Sequence, residues 1–252
     1  MRTIVALGFA LALVGQASAQ EASADATETP AAVSTQGLPN GLVATGEPAF
    51  VATGQVGKGE PIVRVPVRHA YTGHVTKTVP GVLFSKTIVA GAPAFGMPMV
   101  SSKGGPQVVW CAPVATDSRP GKEAWSTNCF VEIPTGATQM VMSGGLYPTM
   151  LSTGQALFAA PLEVTPGPAD FGVPLSLNYV FRKWNAAGEA EMMVEVRWPR
   201  RAAYIGIVSA KRTADGAVVN VLGGEILLTP TPDGRSASIR LVKPPNLEAQ
   251  AE

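Results

Sequence analysis

The chain has 252 residues, with 19 Lys and Arg against 18 Asp and Glu, two His and two Cys. Charge this close to balance argues against a generally basic nucleic-acid binder. A charged fraction of 15%, with 27 Gly and 22 Pro, suits short strands and turns and not amphipathic helices.

The N-terminus reads as a targeting segment. Met1 and Arg2 form a minimal charged region, an apolar run extends from Ile4 to Val14, and Ala17-Ser18-Ala19 is a small-residue cleavage site before Gln20. Residues 1–19 are therefore expected to be a signal peptide, its apolar run too short to cross a bilayer. Cleavage removes Arg2 and leaves 18 basic residues against 18 acidic ones. The expected location is periplasmic or secreted, with no transmembrane segment after signal cleavage. Residues 20–36 are small, polar and acidic, which predicts a disordered linker.

Residues 37–160 read as a β unit. Over 62–68, Val63, Val65 and Val67 alternate with Arg64, Pro66 and Arg68, the pattern of a half-buried strand. Pro66 lacks a backbone donor, which predicts an edge strand. Residues 71–79 and 82–89 are further strand candidates, separated by Pro80-Gly81. The Gly, Pro and Met content of 90–106 predicts loops, with Phe95, Met97 and Met99 covering the core. The lysine-bearing glycine run at 54–59 has the wrong spacing for a phosphate loop and reads as a turn before a strand.

The clearest local signal is a hairpin around the only two cysteines. With Cys111 opposite Cys129, Val109 opposes Val131, Gln107 opposes Ile133 and Trp110 opposes Phe130. One register thus matches like with like on both faces. Export favours a disulfide between Cys111 and Cys129. Between the strands, 115–127 reads as a long polar loop, and long loops in compact domains are usually functional or disordered. A short strand follows at 139–142. Residues 144–154 have helical spacing but room for only a turn or two, and 156–164 is a strand candidate. With four prolines and two glycines, 161–174 reads as a Pro-rich connection between two β units.

The last third alternates most regularly. Leu175, Leu177, Tyr179 and Phe181 share one face, as do Met192, Val194, Val196 and Trp198. Further strands are expected at 204–211, 217–222, 225–229 and 236–242. Turn signals at Asp215-Gly216, Gly223-Gly224 and Pro232-Asp233-Gly234 make 175–243 an antiparallel β-meander. Residues 244–252 read as a tail. The expected fold is all-β, antiparallel and sandwich-like, in one or two units, behind a disordered linker.

Few residues point to chemistry. His69 and His74 are the only histidines, and a zinc site needs three or four ligands. No third ligand is marked, so no metal or cofactor is expected, and both read as surface or hydrogen-bonded histidines. No Gly-x-Ser-x-Gly motif occurs, and no catalytic residue is assigned. Glu191 and Glu195, which share a strand face with Arg197, read as a solvated face.

Two basic and aromatic clusters are the sharpest surface features. Arg182, Lys183 and Trp184 form one; Arg200 and Arg201, beside Trp198, form the other. They are expected to meet at neighbouring strand ends. Arginine offers a flat fork for carboxylate or phosphate, and tryptophan a stacking face. In the polar loop, Arg119, Lys122 and Trp125 form a third candidate recognition surface. The resulting expectation is a non-enzymatic exported domain that binds an anionic glycan or an envelope protein. The alternative is a hydrolase on a β scaffold that uses His69 or His74.

Overall fold

The computed structural model describes residues 38–81, 86–100, 104–120, 122, 124–143, 145–147 and 159–247. The expected signal peptide, linker and most of 144–158 lie outside these residues. The described chain is all-β and antiparallel, with a single 3-10 turn at Pro39–Gly41. No helix among the described residues is long and apolar enough to cross a membrane.

The first ten strands are β1 (Leu42–Ala44), β2 (Ala49–Phe50), β3 (Gln55–Val56), β4 (Pro61–His69), β5 (Tyr71–Val75), β6 (Pro93–Val100), β7 (Pro106–Asp117), β8 (Ala124–Glu132), β9 (Thr138–Ser143) and β10 (Val164–Pro166). The remainder are β11 (Leu175–Trp184), β12 (Ala190–Trp198), β13 (Arg201–Ser209), β14 (Lys211–Thr213), β15 (Gly216–Val221), β16 (Gly224–Pro230) and β17 (Ala237–Lys243). They form three sheets. The first runs β1-β4-β11-β12-β13, with β2 also on β4. The second runs β10-β5-β6-β7-β8-β9, and the third β14-β15-β16-β17-β3.

The cysteine hairpin forms in the expected register. Cys111 pairs with Cys129 and Trp110 with Phe130, and a disulfide joins the two cysteines. Both cysteines are buried in the main core. That core draws on all three sheets: Val65 and Leu177 from the first, Phe95, Cys111 and Cys129 from the second, Val219, Ile226 and Leu228 from the third. The opposite face of the second sheet carries Ala94, Ala112, Phe130 and Met140. They pack with Val75, Ile88 and Leu162 in a separate cluster. Alternation along β7 and β8 thus serves two cores at once.

Several expectations change. Pro66 is not on an edge: β4 has β11 on one side and β1 and β2 on the other. The Pro66 carbonyl accepts from Thr45 N at 2.9 Å. A residue's N–H and C=O point to the same side of a strand, so the missing donor faces the gap between β1 and β2, where no ladder bond is lost. Residues 93–100 are a strand, not a loop. Phe95 and Met97 are buried, while Met99 is exposed. Gly96 permits this pairing, because a Cβ there would lie 2.3 Å from Val108 Cγ1. The strands of the cysteine hairpin continue to Asp117 and Ala124, which shortens the loop expected at 115–127.

The Pro-rich stretch 161–174 does not mark a break between sheets. β11, which follows it, pairs with β4, which precedes it. The meander expected over 175–243 divides between the first and third sheets after β13. Of the strand expected at 156–164, residues 156–158 lie outside the described residues, 159–163 are not strand, and only Val164 is, as the first residue of β10. Its side chains buried on both faces, β11 is a central strand, with Asn178 and Val180 as sealed as Leu177. The start of the tail is docked. Asn246 N donates to Leu222 O at 2.7 Å, and Leu247 packs against the main core. The β15–β16 turn places Leu222 and Gly223 at φ +50° and +73°, the left-handed pair of a tight hairpin.

The disulfide closes a loop with a sequence separation of 18. Replacing both cysteines by Ala should cost about 3 kcal/mol, mainly by freeing the unfolded chain. Urea unfolding of the variant beside the oxidised protein checks this, and matching midpoints would contradict it.

Candidate functional site

The eight residues expected to bind do not converge. β11 and β12 pair with Ser176 opposite Arg197 and Trp184 opposite Ala190. Arg182, Lys183 and Trp184 therefore lie at one end of the hairpin, and Arg200 and Arg201 at the other. At 3.3 Å per residue the ends are about 30 Å apart. The expected meeting fails because an antiparallel hairpin joins the end of its first strand to the start of its second.

Local partners separate the clusters further. Arg182 Nη1 bonds Glu191 Oε2 at 2.9 Å, and Lys183 Nζ lies 3.7 Å from the same oxygen. One carboxylate thus engages both cations. The Trp184 ring packs against the main core, and its Nε1 donates to Ser236 O at 3.0 Å. That bond ties the first sheet to the start of β17. In the shortened loop, Arg119 Nη2 bonds Asp117 Oδ2 at 2.6 Å, and the guanidinium holds the Asp117 carboxyl below its usual range. Lys122 is exposed. Trp125 lies in β8 on the face that carries Cys129, half-buried against the main core.

The other end of the hairpin is built differently. Pro199 and Arg200 form the two-residue link between Trp198 and its partner Arg201. Arg200 sits at φ +64°, a left-handed conformation that costs a non-glycine residue roughly 1 kcal/mol. Arg201 is exposed and forms no ion pair among the described residues. It lines a cleft of about 290 Å³ with Ser143, Gly145, Tyr147, Trp198 and Tyr204. Trp198 is buried, and its Nε1 has no hydrogen-bond partner. The far wall is fixed from β8, where Thr127 Oγ1 donates to Gly145 O at 2.7 Å and Leu146 O at 3.2 Å. Such a cleft offers a cationic fork and the exposed ring of Tyr204, with Tyr147 and Trp198 buried beneath them.

Glu195 is not on a solvated face. It is 4% exposed, and Arg197 Nε donates to its Oε1. Arg197 Nη2 also reaches Gly59 O at 3.0 Å, so this guanidinium is held away from the cleft.

His69 departs most from expectation. It is 2% exposed and neither a surface nor a hydrogen-bonded histidine. Its ring stacks on Phe95, with centroids 3.9 Å apart, and lies near-parallel to Tyr147 at 5.6 Å; Phe171 meets it edge-on. Nδ1 is buried without a partner. Desolvation pushes its pKa down to about 3. His74 is exposed on β5. Among the described residues, no three His, Cys, Asp or Glu side chains group as metal ligands.

No protein-family model, curated protein or solved structure matches this chain.

Sequence reasoning missed Ser143, Gly145, Tyr147 and Tyr204 as walls of the cleft. No local pattern marks Tyr147, which arrives from a stretch between β9 and β10. The burial of His69 did carry a signal, because it continues the core alternation of Val63, Val65 and Val67.

Two outcomes follow from these geometries. Arg197→Ala leaves Glu195 buried without its cation and should cost about 3 kcal/mol, measured by denaturant unfolding. A loss below about 0.5 kcal/mol would show that the pair is dispensable. His69 in the unfolded chain protonates near 6.5, against about 3 in the fold. Between those values the unfolded state holds the extra proton, so the stabilising effect is complete above pH 6.5 and declines as pH falls. The slope reaches about 1.4 kcal/mol per pH unit. Urea midpoints at pH 7, 5 and 4 should therefore fall more steeply for the native protein than for His69→Phe. Parallel curves would contradict the sealed, neutral ring.

Proposed function

We propose that the protein is an exported, non-enzymatic binding module that takes an anionic cell-envelope glycan at the Arg200–Arg201 end of the β12–β13 hairpin. The supporting observation is the cleft itself, which brings exposed Arg201 beside the exposed ring of Tyr204, over the buried side chains of Tyr147 and Trp198. A guanidinium matches carboxylate, phosphate or sulfate in a two-point contact, and aromatic faces suit sugar rings. Arg200 adds a second cation at a position where glycine would relieve backbone strain. An observed backbone outlier of this kind is a reason to look for function. Arg182 and Lys183 are weaker candidates, since both engage Glu191. The apolar leader with its small-residue cleavage site and the Cys111–Cys129 disulfide support export.

Binding of an acidic polysaccharide such as polygalacturonate tests this reading. Arg200→Ala with Arg201→Ala should weaken binding about tenfold at low salt, corresponding to about 1.4 kcal/mol, and flatten its salt dependence. Arg182→Ala with Lys183→Ala should leave affinity within about twofold. Equal losses from both pairs, or an unchanged salt slope, would contradict the assignment. Breakdown of the polymer during the titration would point to a hydrolase instead.

A further inference from the structure

A second recess lies where β4 passes into β5. Its volume is about 450 Å³, within the range of small-molecule sites, and His69 lines it. Val67, Phe171, Val173 and Leu175 supply most of its apolar wall. The polar groups of its lining make local hydrogen bonds, and Arg68 is exposed with only one of its nitrogens bonded among the described residues. Thr72 Oγ1 donates to Gly167 O at 2.8 Å, Asp170 Oδ1 accepts from Gly172 N at 2.8 Å, and Arg68 Nη1 donates to His69 O at 3.2 Å.

His69 is the exception. Buried polar groups are nearly always paired, and one that is not calls for an explanation. The ring is fixed by its stack on Phe95. Its Nδ1 is sealed without a partner. An orphaned buried N–H is rarer than an under-used acceptor, so the neutral ring is best satisfied with its proton on Nε2. The imidazole then offers one donor.

We propose that this recess is a binding site for a small, neutral, flat apolar molecule carrying one hydrogen-bond acceptor, which His69 Nε2 engages while Phe171 and the aliphatic wall enclose its body. A charged group placed against buried His69, Val67 and Leu175 would lose its water, and the charges of the lining, Arg68 and Asp170, are both exposed. A site that provides a buried donor discriminates against an isostere lacking the acceptor. The site is separate from the Arg201 cleft, and its ligand differs in charge and size from a glycan.

Acetophenone and α-methylstyrene form a matched pair of probes, the second replacing the carbonyl oxygen by a methylene. Each is titrated into the full mature chain, with the methyl NMR signals of Val67, Val173 and Leu175 followed. Acetophenone should bind about tenfold more tightly and shift these methyls. His69→Phe keeps an aromatic ring on Phe95 and should abolish the preference. Because that variant replaces a core side chain, Val173→Trp serves as a second test: it fills the recess, leaves His69 intact and should remove binding of both probes. Equal affinity of the two probes for the native chain would overturn the proposal. So would shifts confined to residues around Arg201, or acetophenone binding that survives Val173→Trp.

Discussion

The interaction on which the rest of the structure depends is the burial of the Cys111–Cys129 pair in a core to which three sheets contribute. The pair is cross-strand within one sheet, yet its side chains belong to a core completed by β4, β11, β15 and β16. Apolar surface removed from water is the main stabilising term in folding. No single sheet supplies the main core alone. The second sheet is further constrained because its opposite face carries a separate cluster. A one-residue slip in β7 or β8 would send Cys111 and Trp110 to the wrong cores, so register is specified from both sides.

That constraint explains which elements of the fold were legible from residues. The hairpin register followed from matched pairs on two faces, and the C-terminal strands from turn chemistry and alternation. Pro66 misled because edge preference concerns a lost donor, and here the donor faces a gap between two short outer strands. The stretch around Phe95 misled because its Gly, Pro and Met content reads as loop. Gly96 instead allows close approach of Val108 to the strand. The Pro-rich stretch looked like a boundary because the return of β11 to β4 is a long-range pairing. Local composition carries no record of such a pairing.

The candidate site was half legible. Arg200, Arg201 and Trp198 could be named from sequence, but their neighbours could not. Tyr147 is brought beside them by Thr127, which holds the carbonyls of Gly145 and Leu146. The same tyrosine lies near-parallel to His69 and Phe95, so it belongs both to the cleft wall and to the aromatic stack. Ion pairing sorted the other candidates, since Arg119, Arg182 and Lys183 each have a nearby carboxylate and Arg201 has none among the described residues.

The most direct test of a core shared by three sheets is native-state hydrogen exchange, read at amides of β7, β11 and β16 across a urea series. One shared core predicts that the slowest amides of all three strands converge on a single opening free energy with the same urea dependence. Separate convergence values, with β16 opening well before β7 and β11, would contradict it.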